Sequence, residues 1–139
     1  MRLLTRDERG ELSLTKRTGD NIPQYAILSH TWEKDGEVSY NDLVASTGKN
    51  KSGYKKIEFC VEQAARDGLQ YSWVDTCCID KWNLLELSNA INFMFIWYQN
   101  AAKCYVLLTD VTLTNITSET SEYDTWESAF QNSRWFERD

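Results

Sequence analysis

Three short stretches of this chain carry side chains that can do chemistry. His30 is the single histidine; it follows the apolar run Tyr25-Ala26-Ile27-Leu28-Ser29 and opens Thr31-Trp32. At the carboxyl end of a strand, an imidazole acts as a general acid or base or orients a ligand. It serves equally as a structural group bonded to the backbone carbonyl of a neighbouring loop. Asp75 and Asp80 flank an adjacent cysteine pair in Asp75-Thr76-Cys77-Cys78-Ile79-Asp80-Lys81. Carboxylates at this spacing bind a cation or orient a ribose, or else cap the next helix and hold its loop together. Adjacent cysteines match neither a redox C-x-x-C nor a zinc pair, and with one His and two distant cysteines, Cys60 and Cys104, a tetrahedral site would need separate regions of the chain to meet, so no metal centre is expected. Cys77 reads as a packed core thiol, with a nucleophile assisted by His30 as the alternative. Glu86 falls in the first turn of a helical segment, where the helix dipole alone accounts for a carboxylate; a catalytic role is the alternative.

The elements that must position these residues follow from periodicity. Residues 2–16 alternate around Arg9-Gly10, which predicts a small hairpin. Tyr25–Ser29 is a continuous apolar run and predicts a buried strand. Residues 33–53 are charged and contain glycines, with one short helical turn near Tyr40–Leu43. From Ser52, Ile57, Cys60, Val61 and Ala64 repeat at helical spacing, and Gly68 stands where a helix ends. Tyr71–Asp75 predicts a second strand. A second helix is expected over Leu84–Asn100 with Leu87, Ile91, Met94, Phe95 and Tyr98 as its apolar stripe, and Cys104–Leu108 predicts a third strand closed by Thr109-Asp110. Residues 112–124 read as a loop, and Thr125-Trp126-Glu127 as the start of a last helix.

Strand, helix, strand, helix, strand is the order of an α/β domain with a mostly parallel sheet flanked by helices and joined by right-handed crossovers. Continuous apolar strands imply that both sheet faces are covered. In such sheets ligands bind outside the carboxyl ends of the strands. The tips Ser29-His30-Thr31-Trp32, Asp75-Thr76-Cys77-Cys78 and Thr109-Asp110 are therefore expected on one rim.

Composition excludes several classes. With 139 residues, 42% hydrophobic and 26% charged, one globular domain is expected. The net charge of −6 argues against a domain that lives on phosphate neutralisation, so no nucleic acid is expected as a partner. No stretch is apolar and long enough to span a membrane, and the N-terminus turns charged at once, unlike a secretory signal. Four cysteines without a framework spacing fit reduced thiols and a cytoplasmic location. Neither G-x-G-x-x-G nor a Walker-type loop is present. Aromatic residues reach 13%, with 6 Trp; Phe93, Phe95, Trp97 and Tyr98 wrap too far round their helix to serve one face, which implies burial on two sides or a protein partner.

The blocks Tyr25–Trp32, Trp73–Lys81, Glu86-Leu87-Ser88-Asn89-Ala90-Ile91-Asn92 and Ser133-Arg134-Trp135-Phe136, in that order, closely resemble the fungal heterokaryon incompatibility (HET) domain, and the resemblance covers essentially the whole of residues 1–139. It implies a fungal protein of nonself recognition, an effector of programmed cell death acting by self-assembly or with another such protein. The HET domain in turn looks distantly like Toll/interleukin-receptor (TIR) domains, whose enzymatic members cleave NAD with a helix-borne Glu. That resemblance implies NAD as a substrate, with Glu86, His30 and Asp75 as catalytic candidates and Ser29, His30, Thr31, Trp32, Cys77, Asp80 and Lys81 as binding residues. Two departures stand out. Trp82-Asn83-Leu84-Leu85 replaces the family's small, Ser-rich segment after Ile-Asp-Lys. The family's Gly-Trp-Thr-Leu-Gln-Glu-Leu continuation, which carries the Glu that TIR comparison makes catalytic, would lie beyond Asp139, so the chain reads as a HET domain truncated at its C-terminal end. The alternative is a catalytically inactive module that binds a nucleotide or a protein.

Overall fold

Leu3 and Leu4, both fully buried, pair across the turn with Leu12-Ser13-Leu14-Thr15, which alternates apolar and polar, and fold the first sixteen residues into a hairpin. In chain order the elements are β1 (Arg2–Arg6), β2 (Leu12–Lys16), β3 (Tyr25–His30), α1 (Tyr40–Val44), α2 (Tyr54–Arg66), β4 (Tyr71–Trp73), α3 (Asp75–Cys78), α4 (Leu84–Asn100) and β5 (Lys103–Leu107). This computed structural model describes residues 1–108. The expected tip Thr109-Asp110, the loop 112–124, the helix from Thr125 and the Ser133–Phe136 block lie outside the described residues.

The five strands form one sheet in the order β2-β1-β4-β3-β5. β3 pairs in parallel with β4, from Tyr25↔Tyr71 to Ile27↔Trp73, and with β5, from Ala26↔Lys103 to His30↔Leu107. The hairpin joins the same sheet: β1 lies antiparallel to β4 at Leu4↔Ser72. The α/β architecture is as expected, with the sheet mixed because the hairpin extends its parallel core. Antiparallel pairing puts the start of β1 and the end of β2 beside the carboxyl end of β4.

The chain crosses from β3 to β4 through α2, then returns over β3 to β5 through α4. Reversing direction with right-handed crossovers puts the two helices on opposite faces. Neighbouring residues of β4 show this directly. Ser72 lies beside the Cys60 thiol of α2. Trp73 meets Trp97 and Tyr98 of α4, ring centroids 5.5 and 6.1 Å away. All six residues of β3, between them, are buried.

Local chemistry explains the boundaries. Ser39 caps α1, its hydroxyl accepting the Asp42 N–H at 3.2 Å while the Asp42 carboxylate accepts the Ser39 N–H at 2.9 Å. In α2, Ile57, Cys60, Val61 and Ala64 are buried as expected. The helix ends on Gly68, at φ +78°, whose N–H donates to Ala65 O while the Leu69 N–H donates to Ala64 O. Only glycine takes that left-handed corner without strain.

Three expectations shift. β4 ends at Trp73, and Asp75 opens the helical turn α3 instead of closing the strand, because the Cys78 N–H turns back to Val74 O at 2.9 Å. α4 has the expected limits but a rotated inner face: Ala90 is buried and Leu87, Met94, Trp97 and Tyr98 pack on the core, whereas Ile91 and Phe95 are 63% and 77% exposed. The cause is Trp73, whose indole engages Trp97 and Tyr98 and so sets which face of the helix turns inward. β5 is the third strand, yet Cys104 and Val106 are exposed, since among the described residues it is an edge strand with only Tyr105 and Leu107 directed to the core.

Candidate functional site at the carboxyl rim of the sheet

Two of the three expected tips meet. β3 runs out into His30, and β4 delivers Asp75 through the extended Val74 (φ −134°, ψ 123°). His30 Nε2 lies 3.0 Å from Asp75 Oδ1, and His30 Nδ1 lies 3.1 Å from Thr31 O. The Trp32 indole N–H donates to Asp75 Oδ2 at 3.1 Å. Trp32 is 56% exposed and carries the Lys81 ammonium 4.0 Å from its ring centre, a cation–π contact. His30, Trp32, Asp75 and Lys81 thus form one constellation: a buried imidazole, a carboxylate held by two side chains, and an aromatic plate with a cation on the surface. With both ring nitrogens facing oxygens, His30 is placed to orient Asp75 and the loop after β3.

Thr31 holds that loop from behind. Its carbonyl accepts the Lys56 ammonium at 2.9 Å. Lys56 is 4% exposed and paired with Glu37, with Glu33 Oε1 at 3.9 Å. Glu37 also accepts the Glu33 N–H at 2.8 Å. This buried ion pair was not anticipated from the sequence. The available signal was its position: Lys56 lies one turn before Cys60 on the inward stripe of α2, where a charge must find a partner.

Glu86 belongs to a second cluster. Its Oε1 accepts from the Arg2 guanidinium and from the Asp80 N–H at 3.1 Å. The helix cap is Asn83, whose side chain accepts the Glu86 N–H at 3.2 Å. Asp80 instead closes its own turn by accepting the Trp82 N–H at 3.2 Å. Glu86 lines a cleft of about 380 Å³ between the ends of the hairpin and α4, from Leu85 to Trp97. Ser29 and Cys77 lie in the core. Burial, then the neighbouring Cys78, pushes the Cys77 thiol above its ordinary range, and the thiol sits 3.8 Å from Val74 O; it is packed and protonated. Among the described residues no group of three His, Cys, Asp or Glu side chains is placed to hold a metal ion, and no helix is long and apolar enough to cross a membrane.

β3 and the turn after β4 thus fix histidine, tryptophan and aspartate on the carboxyl rim of a mixed α/β sheet. The family model described as "Heterokaryon incompatibility protein (HET)" matches residues 25–139, and the chain belongs to that family. It is 54% identical over 140 residues to the "Vegetative incompatibility protein HET-E-1" of Podospora anserina, an alignment covering 99% of this chain and 10% of that protein. The chain therefore spans about a tenth of the length of the curated relative it matches. No solved structure matches it.

Proposed function

We propose that this domain is the effector module of a fungal nonself-recognition protein, acting in the cytoplasm and triggering programmed cell death when copies associate through α4, with itself or with another protein of its kind. The observation that carries this reading is the outer face of α4. Leu84, Leu85, Ile91 and Phe95 are 63–77% exposed, and Ala90 is the one buried residue of the helix. A contiguous apolar surface of this kind marks a protein interface. Light scattering of the purified domain across a concentration series, paired with expression in a fungal host, tests it. The wild type is expected to associate and to be toxic, and Ile91→Lys/Phe95→Glu, changed only at exposed positions, to stay folded, monomeric and harmless. A wild type that is monomeric and harmless at every concentration refutes the reading.

A second reading, cleavage of NAD or a related nucleotide, is favoured by Glu86, a partly buried carboxylate on an aromatic-lined cleft at the sheet's rim. A carboxylate placed against a ribose stabilises positive charge developing at the anomeric carbon. Release of nicotinamide from NAD by the associated protein supports it, and absence of turnover at high protein concentration removes it.

A further inference from the structure

We propose that the cleft beside Glu86 binds a ribonucleoside monophosphate. The proposal shares its ligand class with the cleavage reading above, but it requires only binding, with no bond broken.

The first observation is an orphan. Trp73 lines the cleft and is fully buried, and its indole N–H has no hydrogen-bond partner among the described residues. Buried donors are almost always paired in native proteins, so an unpaired one at the base of a cleft calls for an acceptor from outside. The walls supply the shape of that visitor. Phe93 and Trp97 stack at 6.5 Å with 26° between their planes, and Trp97 meets Trp73 edge-on. Three aromatic side chains around one cavity suit a flat heteroaromatic ring, which stacks on them and offers an edge acceptor to an N–H.

The polar lining supplies the remainder. Arg2 and Asp80 occupy Glu86 Oε1 alone, so Glu86 Oε2 is without a partner among the described residues and can accept the paired hydroxyls of a ribose. Asn89 adds an exposed amide on the same helix, one turn on. Arg2 and Lys16 bring two cations to the mouth against the single carboxylate of Glu86, on a chain whose net charge is −6. That local reversal of sign fits a phosphate. A cleft of about 380 Å³ lies in the range of small-ligand sites. Trp73 packs on Trp97 and Tyr98 of α4, a helix with one buried residue, so seating the ring requires only that exposed side chains such as Phe93 and Leu85 part.

The test is a ¹⁵N–¹H titration of the tryptophan indole signals, with the Trp73 resonance assigned from Trp73→Phe. The probes are AMP, adenosine and inorganic phosphate. AMP is expected to move the Trp73 indole signal, adenosine to move it with weaker affinity, and phosphate to leave it in place. Lys16→Glu, at an exposed position, is expected to weaken AMP binding about tenfold; because it lies on the surface, it keeps the test open if Trp73→Phe fails to fold. An unmoved Trp73 signal at saturating AMP overturns the proposal. So does equal movement with phosphate alone, which makes the site a plain anion site, or AMP binding that Lys16→Glu leaves unchanged. AMP binding without nicotinamide release supports this site while refuting cleavage.

Discussion

Lys56→Met separates the charge of the buried lysine from its stem, because methionine retains most of the aliphatic length and loses the ammonium. The lysine side chain is 5% exposed, and Glu37, its partner, 14%. Removing the cation strands the Glu37 carboxylate, whose Oε2 has no hydrogen-bond partner among the described residues, and takes one donor from the Thr31 carbonyl. Breaking a buried pair from one side costs about 3–5 kcal/mol, mostly for the charge left behind. At roughly 2–4 °C per kcal/mol for a domain of about this size, the melting midpoint should fall by on the order of 10 °C. The partner of this perturbation is Lys56→Met/Glu37→Gln. With both charges gone no buried ion remains, so the double variant should be more stable than Lys56→Met alone, with a coupling of about 1–3 kcal/mol. Urea unfolding followed by circular dichroism measures both. A single variant costing less than about 1 kcal/mol, or a double variant no better than the single, would refute the claim that this pair is desolvated and holds the loop after β3.

Asp75→Ala should destabilise by about 1–3 kcal/mol, since it removes the carboxylate that bonds a buried imidazole and an indole N–H, and should release the Trp32 indole; thermal melts and tryptophan emission read the two effects. Asp42 bonds the Lys51 ammonium at 2.8 Å and the Ser39 N–H, which hold its carboxyl down at about 2. A carboxyl depressed on folding stabilises above its unfolded value and loses that contribution as pH falls through its folded one, so Asp42→Asn should flatten the acid limb of stability between about pH 4 and pH 2, by well under 1 kcal/mol because the pair is near the surface. Of the four cysteines, only Cys104 is exposed, and burial pushes the Cys60 thiol up to about 12. Alkylation of the native protein at pH 8 should therefore label Cys104 first by mass spectrometry, and rapid labelling of Cys77 would contradict its packed, protonated state.

The sequence by itself determined the elements and the rim. A continuous apolar run such as Tyr25–Ser29 has no polar face to turn outward, so it must lie between two layers. The stripe Ile57, Cys60, Val61 and Ala64 can face only one way, and Gly68 can take the left-handed corner that ends α2. The order of these elements was enough to bring His30 and Asp75 to a common edge, because parallel strands end on the same side. The family followed from the blocks around those residues. The tertiary structure alone decided which residues share a bond across that edge. Asp75 reaches His30 and Trp32 because a helical turn starts one residue after Val74, a choice made by backbone hydrogen bonds that no side-chain pattern records. It also decided the rotation of α4: every turn of that helix carries an apolar residue, so periodicity could not choose among faces, and Trp73 chose by engaging Trp97 and Tyr98. The pairing of Glu86 with Arg2 joins residues 84 positions apart, and the buried Lys56 depends on Glu37 arriving from a different loop. Local sequence sets what a segment can bury, whereas partners distant in the chain are known only once the layers have closed on one another.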